Sequence, residues 1–151
     1  AAGRSLPNKW DWRSHLTGYP AIRNQLDCGS CWAFAGVGAM EWALAREAGL
    51  SRDLSEQWLV SCNRDGMGCN GGWHTTALNY LTCGGSTDPC GGTGAVLESA
   101  FPYVGWGVTC NCPYAHPYCL NSWFMVGTEY GVPSVDQIKQ AIKIRKPRKS
   151  S

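Results

Sequence analysis

The sequence predicts an α+β fold that is mostly helical, organised around one long helix and stapled by disulfides. Three observations carry this reading. Cys31 to Ala48 is rich in Ala, Leu, Met, Glu and Arg, all good helix formers, and Gly49 follows where helices commonly stop. The apolar residues of that stretch keep helical spacing. Trp32, Ala35, Ala39, Trp42 and Ala43 share one face, and Phe34, Val37, Met40 and Leu44 widen it, so the helix should be buried on most sides. Finally, the 151 residues include nine cysteines, an odd count that suits four bridges and one free thiol in an oxidising or lysosome-like compartment.

Length and composition set the limits. One ordinary domain fits 151 residues, and 44% hydrophobic content with 8 Trp excludes a disordered chain. No apolar run approaches the ~20 residues that span a bilayer. The first residues lack a charged-then-apolar leader pattern, so any leader or pro-segment is expected to be removed or to lie upstream. Net charge is +2, but the last 13 residues hold six basic groups (Lys139, Lys143, Arg145, Lys146, Arg148, Lys149) and no acid. Such a run can meet nucleic acid or an anionic surface. No aromatic residues interleave with it, so it reads as an exposed terminal linker, and neither nucleic acid nor membrane is expected as a partner.

The elements follow in order. Residues 1–13 read as an extended lead, 14–145 as the folded domain and 146–151 as a basic tail. Ser14 to Asn24, with Gly18 and Pro20, reads as a loop. Within the long helix Gly36 and Gly38 each cost about 1 kcal/mol of propensity, which close packing against a neighbour would explain. Ser55 is a good N-cap for a second helix ending at Cys62, with Glu56 in its first turn. Trp73 to Leu81 should form a third helix, ended by a Gly-rich loop over residues 83–94, with a short turn at 95–98. One strand is expected around Trp123 to Val126. Ser134-Val135-Asp136-Gln137 is a capping box that starts a last helix through Ile138, Ala141 and Ile142.

Chemistry concentrates in Gln25-Leu26-Asp27-Cys28-Gly29-Ser30-Cys31-Trp32. Cys31 stands where a Gly-Ser loop turns into the long helix. Unpaired N–H groups and the positive end of the helix dipole favour a thiolate there, and the thiolate is the nucleophile. Gln25 places a neutral amide donor upstream. Folded back beside Cys31, it would join a backbone N–H in holding an oxyanion during acyl transfer. A second chemical stretch is Gly68-Cys69-Asn70-Gly71-Gly72-Trp73-His74, whose paired glycines let another backbone approach closely.

These stretches resemble the papain and cathepsin family of cysteine peptidases. Cys28-Gly29-Ser30-Cys31-Trp32 matches that family's signature around the nucleophile. Leu6-Pro7 with Asp11-Trp12-Arg13, Leu54-Ser55-Glu56-Gln57 with Leu59-Val60 and Cys62, and Phe101-Pro102-Tyr103 with Cys110 are similar to further family segments. The resemblance implies the left-hand, mostly helical domain of the papain-like fold, with the right-hand β-barrel domain missing. It implies a catalytic Cys31, with Gln25 as oxyanion donor. Gly71 and Gly72 would pair with substrate main chain, while Trp73 and His74 would line a side-chain pocket. The family usually has an apolar residue where His74 stands, so subsite preference could become pH-dependent. The resemblance also implies disulfides Cys28–Cys69 and Cys62–Cys110. Spacing alone does not fix the other four; local closure, Cys83 with Cys90 and Cys112 with Cys119, is the simplest arrangement.

A thiol peptidase needs a base beside the sulfur. His15, His74 and His116 are available. Asn121-Ser122-Trp123 imitates the family's Asn-Ser-Trp motif but runs into Phe124 instead of Gly, so we reject it. In the family the His and Asn lie about 130–150 residues after the Cys, which from Cys31 falls past Ser151. The expectation is a cysteine endopeptidase fragment, inactive alone, whose base comes from missing sequence or a second chain. The competing expectation is a non-catalytic peptide-binding or regulatory fragment. No cofactor is expected. A zinc site from Cys110, Cys112, His116 and Cys119 is a weak alternative, because the spacing is Cys-x-Cys in an oxidising context.

Overall fold

A computed structural model describes residues 5–128 and 130–143 of the chain. Of these, residues 16–123 form one compact unit, and residues 5–15 with 124–128 and 130–143 form another. The expected basic tail, 146–151, lies outside the described residues.

The larger unit is built on helix α1, Cys31–Ala43, which runs on into a wider π-type turn at Leu44–Ala48 and stops at Gly49. Gly49 takes the left-handed conformation, φ 68°, that suits a residue just past a helix end. Helix α2 is Glu56–Cys62 and helix α3 is His74–Leu81. Both pack against α1. Trp32, Ala33, Val37 and Met40 of α1 meet Trp58, Leu59 and Cys62 of α2 and Ala77, Tyr80 and Leu81 of α3 in one apolar core. The burial of α1 is narrower than its composition implies. Trp32, Ala33, Gly36, Val37, Met40 and Glu41 are buried, whereas Ala35 and Ala39 are exposed and Trp42 is half-buried. The residues are apolar all round, but the buried ones form a single stripe.

Four disulfides staple this unit: Cys28–Cys69, Cys62–Cys110, Cys83–Cys119 and Cys90–Cys112. The last two correct the expectation of local closure. The segment around Cys119 lies alongside the one around Cys83, because Cys83 N–H donates to the Leu120 carbonyl (2.8 Å) and Leu120 N–H to the Leu81 carbonyl (2.8 Å). Bridge pairings Thr82–Leu120 and Ala95–Tyr118 extend that alignment. Two segments far apart in sequence are therefore clamped to each other, and neither closes on itself.

Extended pairing falls at these isolated bridges, and the described residues contain no sheet. The strand expected at Trp123 to Val126 does not form; the Trp123 indole N–H instead bonds Asn79 Oδ1 at 3.1 Å. Ala95 and Leu97 enter bridges, and the turn falls slightly later, over residues 98–100.

In the smaller unit, Asp11 caps a short 3-10 turn at Trp12–Ser14, and Trp10 stacks on His15 at 4.2 Å. Helix α4, Val135–Lys143, starts at a reciprocal capping box. Ser134 N–H donates to Gln137 Oε1 (2.8 Å), and Gln137 N–H donates to Ser134 Oγ (3.2 Å).

Candidate active site

Cys31 is the first residue of α1, exposed, and the one unbridged cysteine among the nine. The loop before it is held from two sides. On one side, the Cys28–Cys69 disulfide ties it to the Gly-rich strip, and Gly29 N–H donates to the Cys69 carbonyl at 2.8 Å. Trp32, buried in the first turn of α1, donates its indole N–H to the Gly68 carbonyl at 3.1 Å. A Cβ on Gly72 would stand 2.7 Å from the Trp32 ring and 2.8 Å from Met67 Sδ, so only glycine lets the strip lie this close to the nucleophile's helix. Met67 Sδ also receives the Trp73 N–H at 3.2 Å.

On the other side lies Gln25. Its side-chain Nε2 donates to the Cys28 carbonyl at 2.9 Å, folding the amide back over the loop that leads to Cys31. A carboxamide carries two N–H donors, so one remains for a ligand. Leu26 follows with φ 55°, a left-handed conformation that costs a non-glycine residue roughly 1 kcal/mol and persists only where surroundings enforce it. Asn24 Oδ1 accepts the Leu26 N–H at 2.8 Å.

Beyond the glycines, Trp73 is 71% exposed and His74 is exposed at the start of α3. The strip thus presents Gly71, Gly72, Trp73 and His74 in sequence, next to the loop that carries Cys31. An aromatic ring this open, on a framework held by a disulfide, is suited to meet an apolar ligand group.

Two of the three histidines are engaged with other groups, and His74 stands exposed on the strip. His116 Nδ1 bonds the Gly94 carbonyl at 2.8 Å, its Nε2 lies 3.6 Å from Asp88 Oδ2, and its ring meets Trp58 edge-on. His15 stacks on Trp10. Among the described residues no hydrogen bond joins a histidine ring to Cys31. The zinc alternative fails on chemistry: Cys110, Cys112 and Cys119 are all bridged, so none offers a thiolate. Asp88, Cys90 and Cys112 also cluster, but a disulfide joins those two sulfurs.

One residue at the site was not assigned a role by sequence reasoning. Tyr103 places its hydroxyl 2.7 Å from the Gln25 carbonyl and 2.6 Å from Ser30 Oγ. The signal available was weak: a Tyr in an apolar segment wants a partner for its hydroxyl, but nothing in the sequence says which.

The description "Papain family cysteine protease" matches this chain over residues 6–147. The chain belongs to the papain family of cysteine proteases. Among its curated relatives, Cathepsin L 2 of Paramecium tetraurelia is 36% identical over 138 residues, covering 89% of this chain and 40% of the relative. Mouse Cathepsin K is 40% identical over 106 residues, covering 70% of this chain and 29% of the relative. A crystal structure of a Carica candamarcensis cysteine protease in complex with E-64 superposes with a TM-score of 0.60 and 33% identity, covering 74% of this chain and 50% of that one. This papain-family chain thus spans 40% or less of the length of both relatives. No helix among the described residues is long and apolar enough to cross a membrane.

Proposed function

We propose that this chain is the nucleophile-bearing half of a papain-like cysteine endopeptidase acting on polypeptides. The observation that carries the reading is Cys31. It is the single free and exposed cysteine among the nine, set at the head of α1 after a loop bonded both to the Gln25 amide and to the Gly-rich strip. A binding module would need neither a free thiol nor an upstream amide donor.

In this reading the Cys31 sulfur attacks the scissile carbonyl carbon, and the S–C bond forms as the C=O π pair moves to oxygen. The Cys31 N–H and the spare Gln25 N–H receive that oxyanion. Collapse expels the amine, which takes a proton from a general acid and leaves a thioester that water hydrolyses. Gly71 and Gly72 pair with substrate main chain, and Trp73 and His74 face the side chain two residues before the cut. The base is supplied by sequence beyond these residues or by a second chain, so this chain alone has negligible turnover. The site of action is extracellular or lysosome-like, which suits four disulfides.

The test is covalent labelling with a peptidyl epoxide of the E-64 type, read by intact-mass spectrometry. One adduct on Cys31, formed faster than on free cysteine and absent from Cys31→Ala, supports the reading. A rate no better than free cysteine favours a non-catalytic binding fragment. Peptide cleavage by the chain alone, abolished in Cys31→Ala, would show that a base is already present.

A further inference from the structure

We propose that Tyr103 is a positioning residue for the nucleophile loop, holding the oxyanion donor and the nucleophile in one frame through a single phenol oxygen. If Gln25 is the oxyanion donor, as proposed, its carbonyl and side-chain amide must stay fixed relative to Cys31. Tyr103 touches both ends of the intervening segment. Its hydroxyl lies 2.7 Å from the Gln25 carbonyl and 2.6 Å from Oγ of Ser30, the residue before the nucleophile.

The donors can be assigned. A carbonyl only accepts, so the one phenol hydrogen goes to Gln25. Ser30 must then donate its hydroxyl hydrogen to the phenol oxygen. That leaves none for the Cys28 carbonyl, and the 3.4 Å spacing from Ser30 Oγ to that oxygen is a contact only. Ser30 is fully buried, so its hydroxyl has no water to turn to. The result is a directional relay, Ser30 to Tyr103 to Gln25, closed by Gln25 Nε2 donating to the Cys28 carbonyl.

Tyr103 is itself anchored. Its N–H donates to Glu98 Oε1 at 2.7 Å, its ring meets Phe34 of α1 edge-on at 4.9 Å, and the next N–H, of Val104, donates to Oε1 of the fully buried Gln57 at 2.9 Å. The segment it spans needs such a clamp. It contains Leu26 in its left-handed conformation and no regular structure. Gln25 relaxes once its carbonyl is released, and the amide that should meet an oxyanion moves with it.

Tyr103→Phe separates these roles, since it keeps the ring and the backbone N–H and deletes only the hydroxyl. Two reagents read different parts of the site. Iodoacetamide reports the Cys31 sulfur alone. A peptidyl aldehyde forms a hemithioacetal: the S–C bond forms, the C=O π bond breaks, and the thiol proton ends on the new oxygen, which needs the Gln25 donor. For Tyr103→Phe we expect iodoacetamide labelling within about twofold of wild type and aldehyde affinity about tenfold weaker. The Gln25 side-chain amide protons should lose their distinct NMR shifts and exchange faster. Because the relay passes through one oxygen, Tyr103→Phe/Ser30→Ala should add less than about twofold beyond Tyr103→Phe.

Unchanged aldehyde affinity and Gln25 signals in Tyr103→Phe would overturn the positioning role and leave the peptidase reading standing. Wild-type chain that alkylates at Cys31 but binds no aldehyde would overturn that reading, and Tyr103's role with it. Should Tyr103→Phe not fold, Ser30→Ala breaks the relay from its other end. A loss of aldehyde affinity of about threefold is then expected, and no loss overturns the proposal.

Discussion

Ser55 does two jobs with one oxygen. It accepts the Trp58 N–H at 3.0 Å, which caps α2, and donates to the Phe101 carbonyl at 2.6 Å, which fixes the segment leading to Tyr103. Ser55 is 1% exposed, and its removal leaves a buried Trp58 N–H and a half-buried Phe101 carbonyl without this partner. Ser55→Ala should therefore cost about 2–3 kcal/mol, above the ~1 kcal/mol of an ordinary lost cap, measured as a shift of the urea midpoint at constant slope. Half of this was legible beforehand. A Ser before Glu56-Gln57-Trp58 marks a helix start, because the cap bond is local. The Phe101 bond joins positions 46 apart, and no local pattern encodes it. Tyr103 and Gln25 differ in the same way: both residues stand in recognisable segments, but the bond between them spans 78 positions and exists only in the folded chain.

At the level of elements, the two glycines of α1 have opposite meanings. A Cβ on Gly36 would lie 2.6 Å from Ala77 Cβ of α3, whereas a Cβ on Gly38 would meet nothing within 4 Å. Gly36→Ala gains about 1 kcal/mol of helix propensity but overpacks a rigid contact for about 1–3 kcal/mol, so it destabilises by up to about 2 kcal/mol. Gly36→Ala/Ala77→Gly should recover part of that loss. Gly38→Ala should stabilise by up to about 1 kcal/mol; thermal melts of the three variants rank them, and the reverse order for the single variants would contradict this packing. Helices were legible because caps and periodicity are local signals. The disulfide between Cys83 and Cys119 was not, because proximity in sequence competes poorly with the backbone pairing that sets Leu120 beside Leu81 and Cys83. A 36-residue separation closes a larger loop than local pairing would, so replacing Cys83 and Cys119 by Ala should cost about 3–4 kcal/mol on the chain-entropy account. A loss below about 1 kcal/mol in denaturant titrations would argue against that pairing.

At the scale of the whole molecule, two carboxyl groups among the described residues, Glu41 and Glu56, are buried without an ion-pair partner. Glu56 is 4% exposed, and burial, reinforced by the negative charges of Glu41 and Glu98, pushes its carboxyl up to about 8 from 4.5. Burial raises Glu41 and Glu98 as well, against the opposing bonds from Leu54 and Tyr103 N–H. Arg23 is the cation nearby, and it is already paired with Asp53 at 2.5 Å. The folded chain therefore keeps protons on these groups that the unfolded chain releases near pH 4.5. Where the folded state binds more protons, stability falls as pH rises. The contribution of Glu56 is fully present below about pH 4.5 and is lost towards pH 8, at up to about 1.4 kcal/mol per pH unit. Urea midpoints of the disulfide-intact chain should decline steadily from pH 5 to 7.5. Glu56→Gln keeps the shape without the ionisable proton, so it should flatten most of that decline and be more stable than wild type at pH 7.5. A wild-type midpoint that rises over this range would show that Glu56 is ionised in the fold, with a counter-charge close enough to offset its burial.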